Sequence, residues 1–430
     1  MMEEAAAAPM PFGIGRITRR WLVFMAVTAF AALFGLYAFL VQLSEGLIVT
    51  GLRDLGTMGG APWGLYISFD IYFVGISFAG ITMAAMIRLL DLMHLRPVAR
   101  MAEVLTVVAL ILAAFVVLPD LGRPFVGIVN LFIFARPQSP FFGTFVLVIA
   151  GYLLASLVYL YLDSRKDAAI LAKRPGRLQR LHRFVATGYG DTPAERQRHR
   201  RVSFWLAVAI IPILVAAHST LGWVFGLQAG RPGWFGALQA PAFVVLAGIS
   251  GLGALIVLAA AVRWSLREED SIKGEVFKSL GKYMMILIAV YLYFMLAEIL
   301  TTAYQGQEAG LVQALLFGEY AWIYWLSVAL LLIPLVAIAG MALTGKWSVP
   351  VLVVTGLMVN LGAIAKRFIV VAPSLTHGNL LPYGIGSYTP TWVEYSIIVG
   401  LFGLGAFLIG LYMKLFPILQ MPKGGDTAHA

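Results

Sequence analysis

Asp70, His218 and Glu298 are titratable side chains set inside long apolar runs. A carboxylate at membrane depth costs roughly 2.5–3.5 kcal/mol on insertion scales unless it is protonated or paired. Asp70, in Tyr66-Ile67-Ser68-Phe69-Asp70, is therefore a candidate proton carrier. The competing reading is a carboxylic acid hydrogen-bonded across helices for packing. His218 is the one histidine of six that lies within an apolar span. Imidazole donates and accepts hydrogen bonds and titrates in the working pH range. Its bland alternative is a helix–helix contact involving Ser219 or a neighbour. Glu298 has Tyr291 and Phe294 on its helical face. Asn360 and Arg367 lie two turns apart and share a face. Arg367 either snorkels to a nearby helix end, pairs with Glu298 or Glu394, or joins them in a proton path. Asp120 and Arg123 share one tight turn, which they either hold by pairing or leave open to proton exchange. The chemistry open to this set is proton transfer within a bilayer. Asp70, Asp120, Glu298, Asn360, Arg367 and Glu394 are its candidate stations.

The elements that position them are apolar runs of roughly 20 residues, each long enough to cross a hydrocarbon core. The chain has 430 residues, of which 60% are hydrophobic and 12% charged. The pattern predicts an all-α polytopic membrane protein with ten spans, near residues 21–44, 63–88, 101–119, 142–162, 203–227, 239–263, 281–303, 320–343, 348–368 and 394–417. Chain order suggests a four-helix bundle over 1–162, a basic cytoplasmic loop over 163–202, a second four-helix bundle over 203–343, and a terminal helix pair with a tail over 344–430. Thr18-Arg19-Arg20-Trp21 reads as a basic anchor on the first helix, not a cleaved signal.

Net charge is +10, with 31 Lys and Arg residues. Ten crossings place all but six of these on one side. The six are Arg53, Arg123, Arg136, Arg231, Lys366 and Arg367. The positive-inside rule then predicts cytoplasmic N- and C-termini and an inner, cytoplasmic membrane. The basicity is a topology signal and gives no ground for a nucleic-acid partner. The 163–201 segment is also placed to touch anionic membrane lipid. The chain contains no cysteine, so it cannot hold an iron–sulfur cluster through thiolates. A haem held by two histidines needs two within the membrane, and the sequence offers one.

Unusual sequence clusters on the less basic side. Trp63-Gly64-Leu65-Tyr66 precedes Asp70; Asp120-Leu121-Gly122-Arg123-Pro124 and Arg136-Pro137-Gln138-Ser139-Pro140 follow. His218-Ser219 leads to Trp223 and Arg231-Pro232-Gly233-Trp234. Asn360-Leu361-Gly362, Arg367-Phe368 and Tyr388-Thr389-Pro390-Thr391-Trp392-Val393-Glu394 complete the set. In this order the motifs resemble NrfD-type (polysulfide reductase-like) integral membrane subunits. The nearest branch has ten helices and includes the membrane subunits of the Dsr complex, type-2 hydrogenase and alternative complex III. Arg136 stands where that family usually has Asn, and Pro241-Ala242-Phe243 where it has an aromatic Pro-Tyr-Phe.

The resemblance implies a quinone- or quinol-reactive subunit of a respiratory oxidoreductase complex, with menaquinone or ubiquinone as cofactor and no haem or iron–sulfur cluster on this chain. It further implies a ferredoxin-like iron–sulfur partner on the exterior face, with catalytic or cytochrome subunits beyond it. His218 and Asp70 are then expected at the quinone ring, with Tyr66, Asp120 and Arg123 around it. Proton translocation through the second bundle is a further expectation. A secondary transporter and a purely structural anchor are the competing classes.

Overall fold

The computed structural model describes residues 11–419, except 57–60, 135, 137, 140–143, 268–269, 307 and 378–383. Among the described residues every regular element is helical. Helix α1 spans Arg19–Glu45, α2 Leu65–Leu89, α3 Arg96–Asp120 and the short α4 Pro124–Ile133. Helix α5 covers Thr144–Leu171, α6 Gln179–Ala186, α7 Pro193–Gly226 and α8 Gln239–Leu266. Then follow α9 at Gly274–Gln305, α10 at Ala309–Leu316, α11 at Ala321–Thr344, α12 at Val349–Thr376 and α13 at Trp392–Leu415. Nine helices among the described residues are long and apolar enough to cross a membrane. Helix α2, the remaining expected span, is 25 residues long, or about 37 Å at 1.5 Å per residue.

Two rings of helices form. In one, α2 packs on α3, α3 on α5, α5 on α7 and α7 back on α2. In the other, α8, α9, α11 and α12 close in the same way. The rings meet where α2 packs against α8 and α12. Grouping therefore follows packing and not chain order. The expected pairing of the last two spans is replaced: α12 belongs to the second ring, and α13 packs along α1. Small residues explain that pairing. A Cβ on Gly35 of α1 would fall 2.6 Å from the Gly400 Cα of α13, so only glycine permits this approach.

The 163–202 segment is not a continuous loop. Helix α5 runs on to Leu171, α6 follows, and α7 starts at Pro193 behind a capping box between Thr192 and Glu195. Helix α12 also outruns its expected end at 368 and reaches Thr376, because the apolar run continues past Arg367 and the helix accommodates Pro373.

Candidate functional site

The site lies at the end of the first ring that carries the less basic loops. Tyr66 and Asp70 are four residues apart, so they share one face of α2. Tyr66 Oη donates to Gln42 Oε1 of α1 at 2.5 Å. Gln42 Nε2 donates to the Pro119 carbonyl of α3 at 2.6 Å. Asp120 follows immediately as the last residue of α3.

Two carboxyls are left without the partners that burial normally demands. Asp70 is 5% exposed and makes no hydrogen bond to any described residue. Asp120 is 7% exposed, and its Oδ1 is buried without a hydrogen-bond partner. Asp120 lies within electrostatic reach of both Asp70 and Glu394. The wall beside Asp70 is aromatic: Phe69 and Phe73 of α2 both pack edge-on against Phe402 of α13. Solvent therefore screens these carboxyls poorly, and Asp120 feels the charge of its acidic neighbours.

Glu394 is fully buried and its oxygens are occupied. Oε2 accepts from the Gly51 amide at 2.8 Å and the Thr391 amide at 2.9 Å. Oε1 accepts from Tyr388 Oη. Tyr388 Oη in turn accepts from the Leu65 amide at 2.7 Å, at the start of α2. Burial and the adjacent Glu394 raise the Tyr388 phenol above its ordinary range, so it stays a donor. A Cβ on Gly64 would meet Tyr388 Oη at 2.3 Å, which explains glycine there. Glu394 thus caps α13, as its spacing from Thr391 suggests, and also straps α2 and the 51–54 turn to that cap.

Other expected site residues have their own surroundings. His218 Nδ1 lies 2.8 Å from the Leu214 carbonyl and Nε2 lies 2.8 Å from the Val74 carbonyl on α2. The ring meets Phe78 edge-on at 4.8 Å. Both nitrogens face backbone oxygens; a neutral imidazole has one N–H, so it donates to one carbonyl and turns its lone pair toward the other. His218 thus links α7 to α2, one helical turn along α2 from Asp70. Arg123 is exposed and makes no ion pair with Asp120. The turn is held instead by the Arg123 amide donating to the Leu121 carbonyl and by Gly122 in the left-handed region at φ 63°.

The second ring holds its own polar group. Glu298 of α9 pairs with Lys366 Nζ of α12 at 2.7 Å, not with Arg367 or Glu394. Its Oε1 accepts from Gln239 Nε2 at 3.3 Å. A small cavity beside this pair is lined by Tyr324, Thr302 and Ser374. Arg367 does not snorkel. It is 3% exposed, donates from Nη2 to the Phe243 carbonyl at 3.3 Å, and lies 4.0 Å over the Phe243 ring. No carboxylate pairs with Arg367 among the described residues. Asn360 joins the rings, because its Oδ1 accepts from Tyr72 Oη of α2 at 2.9 Å.

Several of these residues escape a reading by motif. Gln42 is an amide buried in the apolar α1, and that polarity was its only signal. Lys366 looks like a topology charge until α12 is seen to continue past it. At the opposite, basic end Arg100 of α3 reaches Asp167 at 3.0 Å, Ser164 at 3.2 Å and Tyr412 Oη at 3.2 Å, tying α3 to α5 and α13. Its signal was the spacing of Asp163 and Asp167, four residues apart on one face.

Residues 54–377 match the model described as polysulphide reductase, NrfD, a stretch that holds every motif except the one from Tyr388 to Glu394. A putative dimethyl sulfoxide reductase membrane subunit from Halobacterium salinarum is 31% identical, covering 100% of this chain and 97% of its own length. An Hdr-like menaquinol oxidoreductase integral membrane subunit from Archaeoglobus fulgidus is 22% identical over 93% of this chain and 92% of its own. The integral membrane subunit of a menaquinone reductase from Nitratidesulfovibrio vulgaris is 25% identical over 92% of each. With that coverage and its nine long apolar helices, this chain belongs to the NrfD, polysulphide reductase family of integral membrane proteins.

Proposed function

We propose that the chain is the quinone-reactive membrane subunit of a respiratory oxidoreductase complex. The observation that carries this reading is the pair of buried, poorly partnered carboxyls, Asp70 and Asp120, beside the Tyr66–Gln42 link. The names of relatives support it, since two are menaquinol or menaquinone enzymes and none of the three is a transporter. A bound quinone supplies two-electron, two-proton chemistry. The residues present suit such a ligand: an aromatic wall at Phe69, Phe73 and Phe402, and acid groups with vacant hydrogen-bonding capacity.

Each residue has a task. Tyr66, oriented by Gln42, fixes the approach to the pair. Asp70 holds or accepts a proton inside the ring of helices. Asp120, at the end of α3, passes it toward the less basic side. Glu394 and Tyr388 hold the start of α2, the helix that carries Asp70, against the cap of α13. The chain has no cysteine with which to bind a cluster. Electrons therefore come from or go to a partner, a ferredoxin-like iron–sulfur subunit docked on the less basic, exterior side. Both termini then face the cytoplasm. In the intact complex, Asp120→Asn lowers quinone-linked turnover by about 10²–10⁴, the usual range for loss of an acid–base group. Unchanged turnover in an assembled variant removes Asp120 from the site.

A proton route through the second ring is the finer reading. It is favoured by the Tyr72–Asn360 bond between rings and by Lys366, Glu298 and Arg367 beyond it. Liposomes containing the complex then acidify by more than the quinone chemistry alone delivers. A proton-to-electron ratio equal to that chemistry excludes the route.

A further inference from the structure

Helix α4 is apolar on all sides, and few of the described residues cover it. From Phe125 to Ile133 it carries one polar side chain, Asn130. Among its described side chains only Pro124 is buried. Phe125 is 81% exposed, Phe132 73% and Ile133 65%. The helix touches the rest of the chain at Gly127, where a Cβ would lie 3.0 Å from Leu121. A helix that docks a soluble partner keeps a polar face for water. One that is apolar all round sits inside a protein or in a membrane. With ten residues, about 15 Å, α4 is too short to cross. Arginines flank it: Arg123 before it and Arg136 after it are both exposed. Long cationic side chains at the ends of an apolar helix reach up to lipid headgroups.

We propose that α4 is embedded in one leaflet of the bilayer, covered by phospholipid acyl chains, as the lateral threshold to Asp120. The placement follows from the turn: Asp120 ends α3 and α4 starts four residues later. A ligand that travels within the leaflet meets α4 before it meets the carboxyl. That the traveller is a quinone rests on the function proposed above; the lipid placement does not.

The absence of cysteine makes the test clean on this chain. Val129→Cys and Phe132→Cys are labelled with a nitroxide in the complete complex in phospholipid nanodiscs, with the unsubstituted complex as background. The expected signal is high accessibility to oxygen and low accessibility to a soluble nickel chelate, matching a Phe30→Cys control on α1. High nickel accessibility overturns the placement. Protection from both reagents shows a protein partner on α4 and overturns it too. For the threshold, Phe132→Asp is expected to raise KM at least threefold for a long-tailed quinol and leave it unchanged for a water-soluble short-tailed one. An equal change for both overturns the threshold. If the unsubstituted complex turns over neither quinol, the quinone reading fails while the label result stands.

Discussion

Gln42 of α1 binds Tyr66 and the carbonyl next to Asp120 at once, with contacts of 2.5 Å and 2.6 Å. One amide therefore sets the spacing between α2 and α3 at the mouth of the site. Gln42→Ala leaves a buried hydroxyl and a buried carbonyl without partners, at about 1–3 kcal/mol each. Gln42→Glu keeps an acceptor for Tyr66 but loses the donor to Pro119. Lower thermal stability of the purified complex is expected in both, with the larger quinone-linked KM rise in Gln42→Ala. Unchanged stability and KM would show that this link does not organise the site.

Lys366 and Glu298 form a second test. Lys366→Met strands the Glu298 carboxylate in a partly buried cavity, and because that side chain is 28% exposed the cost falls below the roughly 3–5 kcal/mol of a fully buried pair. The double variant Lys366→Met with Glu298→Gln removes the stranded charge and recovers much of that loss. Thermal denaturation in detergent measures both. If the double variant is no more stable than Lys366→Met, the pair is not coupled.

His218 separates the two readings of the sequence. With both nitrogens on backbone carbonyls, it acts as a clamp between α7 and α2. His218→Ala is expected to lower stability by about 1–3 kcal/mol. The assembled fraction should retain most of its affinity for quinone. A variant of normal stability that has lost quinone affinity would restore His218 to the ring.

Glu394→Gln swaps one acceptor oxygen for an amide donor where two backbone amides and a phenol all donate. Loss of hydrogen bonds to a charged group costs about 1.5–3 kcal/mol. Faster proteolysis near the 51–54 turn is expected, because that turn is held by Glu394. Unaltered cleavage would show that the strap is not under load.

How much of this was legible beforehand differs by feature. Apolar runs placed the spans, since a bilayer imposes length and hydropathy on any helix. The burial of Asp70 is legible because it stands inside such a run, whereas that of Asp120 is not, because it stands in a turn. Helix grouping was not, because Gly35 against Gly400 is a contact across 365 residues with no local trace. At His218 the sequence shows a titratable ring but not the Val74 carbonyl 144 residues away that lies against it. Gln42 and Lys366 carry little signal in the sequence, because an amide in a span and a basic residue near a loop each have an ordinary structural explanation.

The most direct measurement is the pH profile of quinone-linked turnover in the intact complex carrying Asp70→Asn or Asp120→Asn. Asparagine keeps the shape of the side chain and removes its proton chemistry. The expected result is a fully assembled complex with turnover reduced about 10²-fold or more in each variant and the titrating limb of the profile removed. Wild-type turnover with an unchanged pH profile in both variants would contradict the assignment of proton handling to these carboxyls.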